Sequence, residues 1–359
     1  MTLEETIARI RPVDRSQEAS IQSHIDNLTK PQGSLGQLEN IAKRYVLASG
    51  QGWPSVGKKR VCVFAGDHGM VEAGFTFSEQ VVTGQIVRNM LAGGAGINVF
   101  SRHVGVEVEC IDVGIAADMS DAEGLLDRKV AWGTQNIGKG PAMTMAECEA
   151  AVGVGIERAQ VAAAEGVTMV ATGEMGIGNT TPSSALLAAL LPCSVPEATG
   201  PGAGFKNADG LRAKIALIEQ ALEVNRAALD HPLTALAAVG GLEIAALTGL
   251  CLGAAEHKMP IVVDGIISSA AALVACRLCP EVADYMFLAH QSADPGHAYF
   301  VKGLGLQPIL QLDLRLGEGT GSVLAMHLID AAIKMYTEMA SFTAAKVTNP
   351  EVNARCYPA

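Results

Sequence analysis

Two glycine-rich turns hold the residues best placed to do chemistry. In Gly317-Glu318-Gly319-Thr320-Gly321 a single carboxylate stands between glycines, after the alternating Leu312, Leu314 and Leu316 and before an apolar run at helical spacing. Flanking glycines lose backbone entropy and pack nothing. What they permit is a sharp turn and close approach of backbone to a ligand. Glu318 therefore reads as a working carboxylate at the end of a strand and beside a helix N-terminus, suited to taking a proton from a substrate. On residue type alone a loop glutamate is more often simply solvated; the company of the other motifs favours chemistry.

The second turn, Gly173-Glu174-Met175-Gly176-Ile177-Gly178-Asn179-Thr180-Thr181, follows an apolar run and precedes a helix expected over Ser183 to Leu191. Such a turn presents backbone N–H groups and a helix dipole to an anion, and a phosphate is its natural guest. A plain tight turn is the competing reading. The G-x-x-G-x-G spacing is not the dinucleotide fingerprint, and no Gly-Lys-Ser/Thr triplet makes a Walker loop. A further cluster, Gly200-Pro201-Gly202-Ala203-Gly204-Phe205-Lys206, precedes Lys214, and either lysine could supply the cation a phosphate wants. Ser292 in HQSADPGH is a further donor. The strand-end carboxylates are Asp67, Glu174, Asp264 and Glu318. No D-x-D or acid-rich pair suggests a Mg²⁺ site, so neither metal nor cofactor is expected. The paired acids that enzymes of phosphoribosyl pyrophosphate carry are absent too. His68 is the most interesting histidine, either catalytic or a buried group satisfying the backbone.

These residues need a scaffold. Apolar β-branched runs recur at RVCVFAGDHGM (60–70), VEVECIDVGIA (106–116), VTMVATGEMGIGNTT (167–181), MPIVVDGIISSAA (259–271) and YMFLAHQSADPGH (285–297), each ending in glycine and a polar residue. Ala-rich helical segments lie between several of them. Met145 to Glu165 opens with Thr144 and Glu147 at capping-box spacing, and Leu211 to Asn225 is a second helix. Near-continuous apolar strands alternating with helices imply an α/β fold: a mostly parallel, Rossmann-like sheet with helices on both faces. Ligands then sit outside the carboxyl ends of the strands, where the polar residues cluster. Near the N-terminus Ile21, Ile25 and Leu28 share a helix face, and a new helix is expected near Ser34 with that serine as its cap. The last helix is expected from Gly321 to about Phe342, followed by a polar tail.

Composition narrows the partners. The chain has 359 residues, is 49% hydrophobic and 18% charged, and carries net charge −11. That is a globular composition, and its sign argues against a nucleic-acid or anionic membrane surface. The longest apolar stretch, Leu233 to Leu252, is interrupted by Glu243, so no membrane span is expected. The charged start MTLEETIARIRPVDR has no signal-type core, and a cytoplasmic location is expected. The eight cysteines are scattered, with Cys62, Cys110 and Cys251 in apolar runs. They read as small buried hydrophobes, and Cys276/Cys279 has no second pair to complete a metal site.

The stretches TKPQGSLGQLE (29–39), FAGDHGM (64–70), GEMGIGNTTPSSA (173–185), VDGIISSAA (263–271), HQSADPGH (290–297) and LRLGEGTGS (314–322) together resemble the nicotinate-nucleotide:dimethylbenzimidazole phosphoribosyltransferase (CobT) family, in family order and over nearly the whole chain. The resemblance implies a parallel-sheet domain over 31–324, a small helical domain from 1–30 and 325–359, and a homodimer. It implies transfer of the 5-phosphoribosyl group from nicotinate mononucleotide to 5,6-dimethylbenzimidazole or a related base, with inversion, giving α-ribazole 5′-phosphate and nicotinate. Glu318 would be the general base and Glu174 would share the site. Gly176, Gly178, Asn179, Thr180, Gly202, Lys214, Asp264 and Ser292 would hold phosphate and ribose. Ser78, Gln85, Ile86, Met175, Glu243 and Leu316 would surround the acceptor base.

The match departs around the acceptor. A glutamine of some members is Ile86 here, with Gln85 and Gln80 nearby, and a family aspartate is Glu243, so a benzimidazole, a purine and a phenolic all stay open. Two rival readings also stay open: a hydrolase of nicotinate mononucleotide, and a non-catalytic protein that binds a phosphorylated nucleoside.

Overall fold

The computed structural model describes residues 2–74, 78–202 and 208–349. Phe75, Lys206 and the tail from 350 lie outside them. Six strands form one all-parallel sheet: β1 (Lys58–Gly66), β2 (Glu107–Gly114), β3 (Leu126–Asp127), β4 (Val167–Met175), β5 (Ile261–Val263) and β6 (Met286–Leu288). The order is β3-β2-β1-β4-β5-β6, so the chain winds one way from β1 and the other way from β4. Each of the five apolar runs supplies a strand. The short edge strand β3 had no apolar run to announce it.

The first helices are α1 (Leu3–Arg9), α2 (Glu18–Asp26), α3 (Gln37–Ser49), α4 (Val81–Leu91), α5 (Gly96–Val104) and α6 (Met145–Ala164). After β4 come α7 (Thr180–Leu190), α8 (Val195–Ala198), α9 (Ala208–Val224), α10 (Pro232–Val239) and α11 (Leu242–Glu256). The chain closes with α12 (Ile266–Leu278), α13 (His297–Leu304), α14 (Thr320–Glu338) and α15 (Phe342–Ala345). One sheet face packs against α6, α11 and α12, the other against α2, α3, α5 and α14. Small residues permit the first of these layers. A methyl group on Gly155 of α6 would lie 1.8 Å from the Ala246 carbonyl of α11, so only glycine allows the two helices to close. Helix α11 is buried along nearly its whole length, which explains its unbroken apolar sequence. No described helix is long and apolar enough to cross a membrane.

Four expectations shift. Helix α3 opens at Gln37 rather than at Ser34: Gly36 is the cap residue at φ +54°, and Glu39 reaches back to take the Leu35 N–H at 3.0 Å. Helix α7 opens at Thr180, three residues early. Residues 311–316 are not a strand. They run beside the loop after β6, tied to it by bonds such as Gln291 N–H to Leu310 and Ala293 N–H to Leu314, and Leu312 and Leu316 stay half exposed. The helix expected to run to about Phe342 is α14, which stops at Glu338, its first turns packed on the sheet. Leu28 forms an isolated antiparallel bridge with Ser341.

Candidate active site

Strands β1 and β4 lie side by side where the strand order reverses, the place where an open parallel sheet leaves a crevice at its carboxyl end. A cavity of about 370 Å³ opens there. Its walls are the turn after β4 (174–181), the turns before α12 and α13, the Arg315-to-Glu318 segment, and Ser78, Val82 and Ile86 at the start of α4.

Glu318 stands at the centre. Its backbone is left-handed (φ +63°) between Gly317 (φ +86°) and Gly319 (φ +93°), a conformation that L side chains rarely adopt and that folds hold mainly at working sites. The carboxylate is nearly buried and takes the Ile97 N–H at 3.0 Å, in the first turn of α5. Burial pushes the Glu318 pKa above the ordinary glutamate value; the Ile97 N–H opposes that, and nearby Asp264 adds to it. The positive end of the α5 dipole favours the anion.

Beneath this turn lies Glu174. A methyl on Gly317 would come within 2.2 Å of its Oε1. Glu174 is buried, its pKa pushed up to about 8 by desolvation and then by Asp264 and Glu243, against the amide of Asn179 and the Glu318 N–H. That shift favours the neutral acid at neutral pH. The Asn179 side chain is bound to Glu174, which is why it leaves α7 without a side-chain cap.

Gly176, Gly178, Asn179, Thr180, Gly202 and Ser292, the residues expected to hold phosphate, all line the cavity wall, the first four in the turn that opens α7. Lys214 is fully buried behind them. Its Nζ donates to Thr180 Oγ1 at 2.8 Å and to the Gly200 carbonyl at 3.0 Å, and burial lowers its pKa to about 8. Asp264 likewise stands behind the wall, taking the Ser322 N–H at 2.8 Å and facing His290 at 3.6 Å.

Opposite, Val82, Ile86, Met175 and Leu316 make an apolar wall with Ser78 at its rim. Two expected neighbours do not reach it. Gln85 is exposed, because Val82 and Ile86 are one helical turn apart on the inner face and residue 85 points about a quarter-turn away. Glu243 is fully buried in the first turn of α11 and is bound to His68 Nε2 at 2.9 Å, outside the cavity wall. The structure also adds residues that the sequence reading passed over. His290, Asp294 and Arg315 line the cavity. They stand within the quoted motifs HQSADPGH and LRLGEGTG, where only Ser292, Leu316 and Glu318 were singled out. Ile97 carries no local signal at all.

Residues 10–347 match a phosphoribosyltransferase family. Two enzymes named nicotinate-nucleotide–dimethylbenzimidazole phosphoribosyltransferase illustrate the relationship. That of Geobacter sp. strain M21 is 52% identical over 97% of this chain and 99% of its own length. That of Chlorobium chlorochromatii is 51% identical over 96% and 98%. The crystal structure of CobT from Thermus thermophilus superposes with a TM-score of 0.88 at 42% identity, covering 93% of this chain and 99% of that one. Identity at this level along both full lengths, on the same fold, means that the chain belongs to the nicotinate-nucleotide–dimethylbenzimidazole phosphoribosyltransferase family.

Proposed function

We propose that the enzyme moves the 5-phosphoribosyl group of nicotinate mononucleotide to 5,6-dimethylbenzimidazole, giving α-ribazole 5′-phosphate and nicotinate. The observation that carries this is a carboxylate strained into the cavity between an anion-binding turn and an apolar wall. The donor's phosphate fits the Gly176–Thr180 turn with Lys214 behind it, and the flat acceptor fits against Ile86, Met175 and Leu316.

The chemistry asks for little else. In the donor, C1′ is bonded to a pyridinium nitrogen. As that bond breaks, its electron pair returns to the ring and nicotinate leaves with a neutral pyridine. The acceptor's unprotonated nitrogen attacks C1′ from the opposite face, which turns the β-linkage into α. The azolium so formed loses its N–H proton to Glu318, a step that typically contributes about 10²–10⁴-fold.

The same reading makes the enzyme a cytoplasmic homodimer. Half-exposed Val81, Leu312 and Leu316 offer apolar surface for a second copy, and the described cysteines are free thiols, as in a reducing compartment. The test is incubation with nicotinate mononucleotide and a panel of benzimidazoles, adenine and phenols, with product mass and anomeric configuration read out. An α-ribotide appearing only with acceptor is expected. Ribose 5-phosphate formed without acceptor means a hydrolase, and a stable donor complex without nicotinate release means a binding protein.

A further inference from the structure

Asp67 and His68, at the end of β1, are buried and take no part in the steps above. Their position is specific. The His68 ring lies against the back of the anion-binding turn, where a methyl on Gly176 would come within 3.3 Å of Nε2. That nitrogen donates to Glu243 Oε1 at 2.9 Å, inside a core that excludes water. The next residue of the turn, Ile177, gives its N–H to Thr83 Oγ1 at 3.1 Å. Thr83 lies near Asp67, whose Oδ2 takes the Ala116 N–H at 2.9 Å. Thr83 is the neighbour of Val82 on α4, so the turn for one substrate is tied to the helix that walls the other. Apolar side chains would fill this space at lower desolvation cost than buried ionisable groups. Hydrogen bonds that fix supporting groups are what keep a binding turn in its productive geometry.

We propose that His68, held by Glu243, and Thr83, bonded to the Ile177 N–H, are positioning residues that fix the Gly176-Ile177 turn for the donor's phosphate. This rests on the phosphoribosyl-transfer reading.

The test is steady-state kinetics of the full-length enzyme with nicotinate mononucleotide varied at saturating dimethylbenzimidazole. Calorimetric binding of the donor alone accompanies it. The variants are His68→Asn, Glu243→Gln, Thr83→Val and Thr83→Ser. His68→Asn and Thr83→Val should raise the donor KM and Kd about tenfold, the scale of one lost buried hydrogen bond. Acceptor KM and kcat should stay within about twofold, the pattern of lost ground-state binding. Glu243→Gln and Thr83→Ser keep the acceptor oxygen or the hydroxyl and should restore near-wild-type donor KM. Should His68→Asn fail to fold, Thr83→Val, which preserves side-chain volume, still decides. Unchanged donor KM and Kd in the folded variants overturn the inference, as does a fall in kcat with donor KM unmoved. Wild-type enzyme that binds the donor but makes no ribotide overturns the transfer reading instead, while the binding comparison still tests the turn.

Discussion

Glu318 Oε2 accepts the backbone N–H of Ile97 at 3.0 Å, from a helix 221 residues earlier in the chain. The contact fixes the carboxylate in space and sets a helix dipole against the burial that raises its pKa. A side chain clamped at its tip, on a backbone held left-handed by two glycine neighbours, has little freedom left. Its geometry is set before any substrate arrives.

The glycine before the base should therefore be intolerant of substitution. Gly317→Ala places a methyl 2.2 Å from Glu174 Oε1 in a backbone at φ +86°. Strain of this kind costs about 1–3 kcal/mol per residue. Thermal denaturation should show a lowered Tm, and kcat should fall well beyond what the stability loss explains.

Glu174 should give the pH profile its alkaline side. With a pKa near 8 it is neutral below that pH and adds a second negative charge beneath the Glu318 turn above it. At saturating substrates kcat should decline as pH rises through about 8, and Glu174→Gln should abolish that decline. The stability sign follows from the same shift. The folded state holds a proton that the unfolded chain releases near 4.5, so stability falls as pH rises from there to about 8 and then levels. The Gln variant should lack that component in denaturant titrations at several pH values.

Acceptor choice should turn on Ile86. An apolar wall leaves the polar edge of a purine desolvated and unpaired, whereas the methyl groups of dimethylbenzimidazole lose nothing there. Ile86→Gln should shift the ratio of kcat/KM values toward adenine by about tenfold or more, measured with both acceptors in competition. Loss of activity with both acceptors alike would assign Ile86 to packing alone.

Much of this was readable in the sequence because strand and turn signals are local. Glycines around Glu318 and the run from Gly173 to Thr181 announced two sharp turns, and a β-branched run announced β4, the strand that carries the second. What stayed hidden was set by distance and by side-chain direction. Ile97 reaches Glu318 only through the packing of α5. Gln85 and Ile86 are neighbours in sequence, yet face solvent and cavity respectively. Glu243 looked like an acceptor contact until burial paired it with His68. The alternation of Leu312, Leu314 and Leu316 imitated a strand because the pattern cannot say whether a neighbouring strand exists to pair with.

The central claim is that one carboxylate, Glu318, removes the acceptor's proton during transfer, and Glu318→Gln tests it most directly. Its shape is preserved while its basicity is gone. With nicotinate mononucleotide and dimethylbenzimidazole, kcat should fall by about 10²–10⁴-fold with donor KM nearly unchanged, and the rise of wild-type activity with pH on the acid side should disappear. Near-wild-type turnover in the Gln variant, with α-ribazole 5′-phosphate still the product, would contradict the account.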